Sequence, residues 1–375
     1  MNLSFWEQST FFAEIDVIII GSGLVGLNAA ISIKEKRPNW KVVILEKGIL
    51  PSGASTRNAG FACIGSPSEL LDDLTNQTED EVFSTVEKRW KGLEKLLARV
   101  GKKGLDFRKY GGYELFLEED ENLYKECVEQ LHYLNTKLAT ITGNSEYYKV
   151  TNREEFGFSK LEKQIEIKEE AQINTGKMMQ SLVELATERG IKIYNGIEVA
   201  AFHDVKSHVE LHTKNGWQLK SQRVLIATNG FTQQLLPNLE VQPARNQVLI
   251  TKPIDNLKFK GTFHLNQGYY YFRNFENRVL FGGGRHLDKV GETTMEFGTT
   301  DLIQNRLLTI LKENILPEQP FEIEQWWSGI LGIGPQKIPI IQQYSENITV
   351  AVRLSGIGVA ISSLVAEEGV RLCLG

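Results

Sequence analysis

The chain has 375 residues, 41% of them hydrophobic, and a formal net charge of −5. That is enough apolar material for two domains or one large interleaved unit, and the scattered charges give no basic stripe for nucleic acid or an anionic membrane. Cys63, Cys127 and Cys373 form neither a C-x-x-C metal pair nor a disulfide framework, "MNLSFWEQSTFFAEID" is not a signal peptide, and no run reaches the length of a membrane span. A cytoplasmic protein with a small-molecule partner is expected, of open oligomeric state.

In chain order, "DVIIIGSGLVGLNAAISIKEKRPNWKVVILE" (16–46) reads as strand, Gly turn, helix, strand. The continuous apolar run Val17–Ile20 is that of a strand buried on both faces, and Lys41–Leu45 starts a second buried strand, which predicts a parallel sheet. From Glu79 the period turns helical, with Val82, Val86, Leu93, Leu96, Leu97 and Val100 on one stripe; Leu123, Cys127, Leu131, Leu134 and Leu138 form a second. "GGYELFLEE" between them reads as a strand, and Thr151 with Glu154 as the capping box of a short helix. A helix over Met178–Glu188, strands "IKIY", "EVAAFHDV", "HVELHT" and "RVLIAT", and a strand-rich stretch 245–285 follow. A helix over Leu302–Leu311, extended "FEIEQWW", the strand "ITVAVR" and a C-terminal helix complete the chain. The fold class is α/β, with a nucleotide domain (1–80, 170–240, 328–375) interleaved with an antiparallel-rich α+β domain (81–169, 241–327).

Gly21, Gly23 and Gly26 form G-x-G-x-x-G between strand and helix, where the helix N-terminus around Leu24 and Val25 offers free amides to a pyrophosphate. Glu46 stands about 20 residues beyond the motif at a strand end, placed to accept both ribose hydroxyls, with Lys47 beside it. A nicotinamide domain would continue into further βαβ units. Here the small-residue loop Ser52, Ala54, Ser55, Arg57, Asn58, Ala59, Gly60 follows at once, and can pass the pyrophosphate toward an isoalloxazine ring, with Arg57 and Asn58 as its polar contacts. A second small-residue turn, Ala227, Thr228, Asn229 and Gly230, ends a buried strand, and Val199 joins the same expected site. The last helix opens with Ser355, Gly356, Ile357, Gly358 and Val359, its positive end suited to the charge a reduced flavin gathers. FAD is therefore the expected cofactor.

In order and spacing these blocks resemble the D-amino-acid-oxidase-type family of FAD enzymes, which includes glycine and sarcosine oxidases, over nearly the whole chain. "LSFWE", "GASTRNAG" and "WWSGILGIGPQKIPII" are most similar to the gamma-glutamylputrescine oxidoreductase-like branch. The resemblance implies a Rossmann-like FAD-binding domain roofed by a substrate domain, and hydride transfer to flavin N5 from the carbon beside a neutral amine, giving an imine that water hydrolyses. No Cys matches the position used for covalent attachment, so FAD is expected to be held non-covalently. Two departures stand out: Ile357 replaces a His common in the family, and "SGILGIG" lacks the Arg that clamps an amino-acid carboxylate.

For the substrate side, Tyr269 and Tyr271 share one strand face while Tyr270 and Phe272 share the other, and Trp326 and Trp327 divide likewise. Tyr271, Trp327, Arg57 and Lys337 are the candidate catalytic residues; Arg245, Arg273, Arg285 and His286 are candidates for holding a carboxylate or gamma-glutamyl group. No metal site is expected. Two alternatives remain: a non-catalytic or sensory flavin-binding protein, and an FAD domain acting in tRNA wobble-uridine modification, which the acidic balance disfavours.

Overall fold

In the computed structural model, which describes residues 3–375, the buried run Ile15–Ile20 lies in the middle of an eight-stranded sheet. Apolar side chains at successive positions of a strand need cover on both faces, and an inner position supplies it. The path is Ile340–Ser345, Ile348–Val352, Gln218–Ile226, Ile15–Ile20, Val42–Glu46, Lys192–Asn195, parallel throughout except for the first pair. Helices Leu24–Lys36, Thr175–Glu188 and Gly358–Leu374 cover one face through a core that includes Val17, Ile19, Met178 and Ile361. The hairpin Val199–Asp204 and Val209–Thr213 covers the other, where Ile18, Ile20 and Val43 meet Leu211.

The second sheet also has eight strands, in the order Ile323–Ile333, Gln242–Thr251, Arg278–Gly283, Tyr270–Phe275, Thr262–Leu265, Gly112–Phe116, Lys163–Ile167, Tyr148–Thr151. One face packs an aromatic core on helix Asp301–Ile310; Phe263 and Phe272 stack there with centroids 4.6 Å apart. The opposite face looks toward the carboxyl ends of the first sheet's strands. Helices Glu79–Leu105 and Glu121–Thr142 bury Val82, Val86, Leu96, Cys127, Leu134 and Leu138, and the first also buries Arg89. No described helix is long and apolar enough to cross a membrane.

One expectation is corrected and two further features stand beside it. Thr151 ends a strand, and Glu154 opens a single 3-10 turn whose preceding residue, Arg153, gives no side-chain cap, because Tyr148–Thr151 pairs with Lys163–Ile167 instead. The strand Ile323–Ile333 runs unbroken through residue 328, paired with Gln242–Thr251 as far as Ile333. A helix over Pro67–Asn76 went unread although its signal is present: Ser66 accepts from the Glu69 amide and Pro67 follows the cap.

Candidate active site

Strand Ile15–Ile20 ends in Gly21, whose φ is +101°, a backbone conformation that suits glycine. A Cβ on Gly21 would lie 2.9 Å from the Ala227 carbonyl oxygen, and one on Gly26 only 1.9 Å from that of Gly21. The turn, the helix and the neighbouring strand approach this closely because no side chain intervenes. Glu46, at the end of the next strand, is 7% exposed and accepts from the Ser22 amide (3.0 Å), the Ser22 hydroxyl (2.8 Å) and the Gly48 amide (2.9 Å).

The loop of small residues folds over this turn. Ala54–Arg57 forms one helical turn, and the Ser55 hydroxyl oxygen accepts from the Leu24 amide at 2.8 Å. Asn58 holds the loop's shape: its Nδ2 donates to the Ser55 carbonyl (2.9 Å), and its Oδ1 accepts from the Gly60 amide and the Thr175 hydroxyl, both at 2.9 Å. Its carboxamide is thus engaged with protein, beyond the free polar contact expected of it. Arg57 donates to the carbonyls of Ser52 (3.0 Å) and Ser328 (3.1 Å) and lies 4.3 Å from the Phe297 ring. Lys47 sits 3.5 Å from the Phe231 ring; burial lowers its pKa despite nearby Glu198 and Glu46.

These elements wall a cavity of about 440 Å³. Gly21, Gly23, Leu24, Val25, Glu46, Lys47 and Ser52 through Gly60, except Thr56, line it; so do Val199, Ala227 through Gly230 and Ser355 through Val359. All the expected cofactor residues but Gly26 thus meet in one space, and Gly26 packs directly beneath. Asn229 Oδ1 accepts from the Leu354 amide at 3.2 Å. The buried Ser355 hydroxyl has no partner among the described residues and stands at φ +45° ahead of the last helix. A carboxylate at a strand end, a glycine-rich turn, two helix N-termini and this unpartnered hydroxyl fit FAD. Cys63 also lines the cavity, but burial, with the Glu170 carboxylate adding to it, pushes its thiol up to about 12.

The second sheet forms the roof. Strand by strand, Trp327, Val248, Gly282, Tyr271, His264 and Glu114 oppose one another, so their side chains share a face. Of the two aromatic pairs, Tyr270 and Phe272 enter the core, while Tyr269 and Tyr271 face the cavity. The Tyr271 hydroxyl accepts from Asn246 Nδ2 at 2.9 Å, and burial raises its pKa well above the ordinary value, leaving it a protonated donor. Trp327 packs with Phe61 and Val248, donates from Nε1 to the Arg57 carbonyl at 3.0 Å, and is not among the residues that line the cavity.

Lys337 lines the cavity but is paired with Glu69 (3.1 Å) and Asp73 (2.9 Å). Among the arginines, Arg245 pairs with the fully buried Glu292 at 2.8 Å, and Arg273 donates to Gln172 Oε1 (2.6 Å) and the Ile173 carbonyl (3.0 Å). His286 packs against Tyr269, centroids 4.6 Å apart. Arg285 alone of these four lines the cavity, and it has no ion pair among the described residues. Sequence reasoning missed Glu69, Arg89 and His264, which line the same space. Arg89 is 3.0 Å from Glu69. Burial works to raise the Glu69 pKa, but Lys337, Arg89 and His264 outweigh it and hold the carboxylate well below its usual range. No group of His, Cys, Asp or Glu among the described residues can hold a metal.

The family model described as "FAD dependent oxidoreductase" matches residues 16–372. The probable oxidoreductase OrdL of Haemophilus influenzae is 22% identical over 98% of this chain and 84% of its own. Two solved structures share the fold. Glycine oxidase from Geobacillus kaustophilus superposes with a TM-score of 0.75, covering 96% of this chain and 95% of that one at 20% identity. L-proline dehydrogenase from P. horikoshii gives 0.74, covering 96% and 93% at 18% identity.

Proposed function

Because the chain belongs to the family of FAD-dependent oxidoreductases, we propose that it oxidises the C–N bond of a small amine or amino acid to an imine that water hydrolyses. The observation that carries this reading is a cofactor cradle opening without a partition onto a chamber roofed by Tyr271 and Tyr269, with Arg285 on its wall. Bound FAD supplies the hydride acceptor. The chain's own residues do the rest: they bind, orient and desolvate the amine.

Desolvation by Tyr269, Tyr271, Val248 and Phe61 disfavours the ammonium form and leaves the nitrogen lone pair free. The Tyr271 hydroxyl, oriented by Asn246, donates to a polar atom of the substrate. Arg285, free of an ion pair, offers the carboxylate contact missing from "SGILGIG". Kinship with the gamma-glutamylputrescine oxidoreductase-like branch belongs to this proposal and rests on "LSFWE", "GASTRNAG" and "WWSGILGIGPQKIPII". A cytoplasmic setting is supported by three free cysteines.

The test is anaerobic titration of the FAD-loaded protein with amines, gamma-glutamylated amines and amino acids while the flavin absorbance is followed. Bleaching by one class is the expected result; failure of every class to bleach the flavin sinks the proposal. Arg285→Met is expected to raise KM for amino acids roughly tenfold, the loss of a charge-assisted hydrogen bond, while leaving amines without a carboxylate unaffected.

A further inference from the structure

His264 belongs to the roof but not to the cofactor cradle. It lies directly opposite Tyr271 in the neighbouring strand, and the Phe61 ring meets both edge-on, at 5.3 Å from His264 and 5.6 Å from Tyr271. The imidazole is 5% exposed and lines the cavity. Its Nε2 is engaged from behind, 2.6 Å from Oε1 of the fully buried Glu170. Its Nδ1 has no hydrogen-bond partner among the described residues.

The sequence makes room for this pair. A Cβ on Gly112 would lie 2.7 Å from Glu170 Cδ, so the glycine leaves the space the carboxylate fills. Glu170 Oε2 is buried with no partner, which leaves the His264 ring as the side chain that compensates this charge most directly. A buried carboxylate that fixes one imidazole nitrogen sets the direction of the other. Here the other is left without a protein partner on a ring that lines the substrate chamber.

We propose that His264 is a specificity-determining residue whose Nδ1–H donates to an acceptor oxygen of the substrate, in a carboxylate or a carboxamide, and that Glu170 is its positioning residue. The inference rests on reading the chamber as the amine or amino-acid site. The charged groups facing the ring are Glu170 behind it, Glu69 from helix Pro67–Asn76 and Glu114 from the adjoining strand, with Arg89 and Lys337 on the far side of Glu69. Burial lowers the imidazole's pKa, but the three carboxylates outweigh it and raise it above 6.5. The three carboxylates thus favour the cationic ring, in which both nitrogens donate.

The experiment is calorimetric binding of butanoate and of butanamide to the FAD-loaded protein at pH 6 and across the alkaline range. At least one probe is expected to bind. His264→Leu weakens it roughly tenfold or more, as loss of a hydrogen bond from a charged donor requires; His264→Asn, which keeps a donor near the Nδ1 position, restores most of the loss at equal FAD content and melting temperature. Butanoate affinity falls as pH rises through the imidazole's pKa, and Glu170→Gln shifts that fall to lower pH, a change that a merely structural role would not produce. Binding of butanoate assigns the oxygen to a carboxylate, and binding of butanamide alone to a carbonyl. The proposal is overturned if neither probe binds wild type, if His264→Leu binds as tightly as wild type, or if Glu170→Gln leaves the pH dependence unmoved. Those outcomes, with amines still bleaching the flavin, would leave the oxidoreductase reading standing; His264-dependent binding without bleaching by any amine would remove that reading instead.

Discussion

The Ser55 hydroxyl accepts the amide proton of Leu24 at 2.8 Å, fastening the small-residue loop to the first turn of the helix that follows the glycine motif. One bond thus joins two stretches 31 residues apart and shapes the wall between them. Ser55→Ala is expected to cost about 1 kcal/mol, the usual loss when a helix-terminal amide loses its side-chain acceptor. Urea unfolding of the apoprotein measures it; an unchanged midpoint would mean the loop stays docked without this bond.

Gly26 leaves no room for a methyl group, since its Cβ would overlap the Gly21 carbonyl. Gly26→Ala should therefore lower stability by about 3 kcal/mol, the upper range for overpacking, and cut the flavin-to-protein ratio. Glu46→Arg should abolish FAD retention while unfolding stays cooperative. Full flavin content in that variant would remove Glu46 from the ribose site.

Tyr271 and Trp327 share a sheet face yet have different surroundings, and their variants should separate accordingly. Tyr271→Phe removes a donor from the cavity and is expected to slow flavin reduction by substrate while melting temperature changes little. Trp327→Leu removes the indole that packs on Phe61 and caps the Arg57 carbonyl, at a stability cost of about 3 kcal/mol. Stopped-flow reduction and thermal melts on both variants check this; the reverse pattern would return Trp327 to the active site.

Glu69 ties Arg89 and Lys337 together in the cavity wall. Glu69→Gln leaves two largely buried cations with less compensation, and about 3 kcal/mol of stability should be lost at pH 7. The folded-state pKa lies below the ordinary 4.5, so the ionised carboxylate's contribution is complete above 4.5 and disappears as pH falls through the depressed value. The gap between wild type and variant should stay constant from pH 7 to 5 and narrow below 4.5. Denaturant unfolding across that range tests the sign; a gap that widened in acid would contradict it.

The sequence by itself marked the residues that line one wall of the cavity. Gly21, Gly26, Glu46 and the loop from Ser52 to Gly60 act through local backbone: a glycine-rich turn, a helix terminus and a strand end are defined within about 40 residues of chain, and the residue pattern marks each. Strand periodicity also placed Tyr271 and Trp327 on opposite faces from Tyr270 and Trp326. Period two says which residues share a face but not what covers each part of it, so only the tertiary structure put Trp327 under protein and Tyr271 over the cavity. The polar half of the chamber was settled the same way. Glu170 meets His264 across 94 residues, and Glu69 meets Lys337 across 268. Such pairs leave no spacing to read: a buried ion pair is made by the packing of distant elements, and a lone His or Glu in a strand or helix looks like any other until those elements meet.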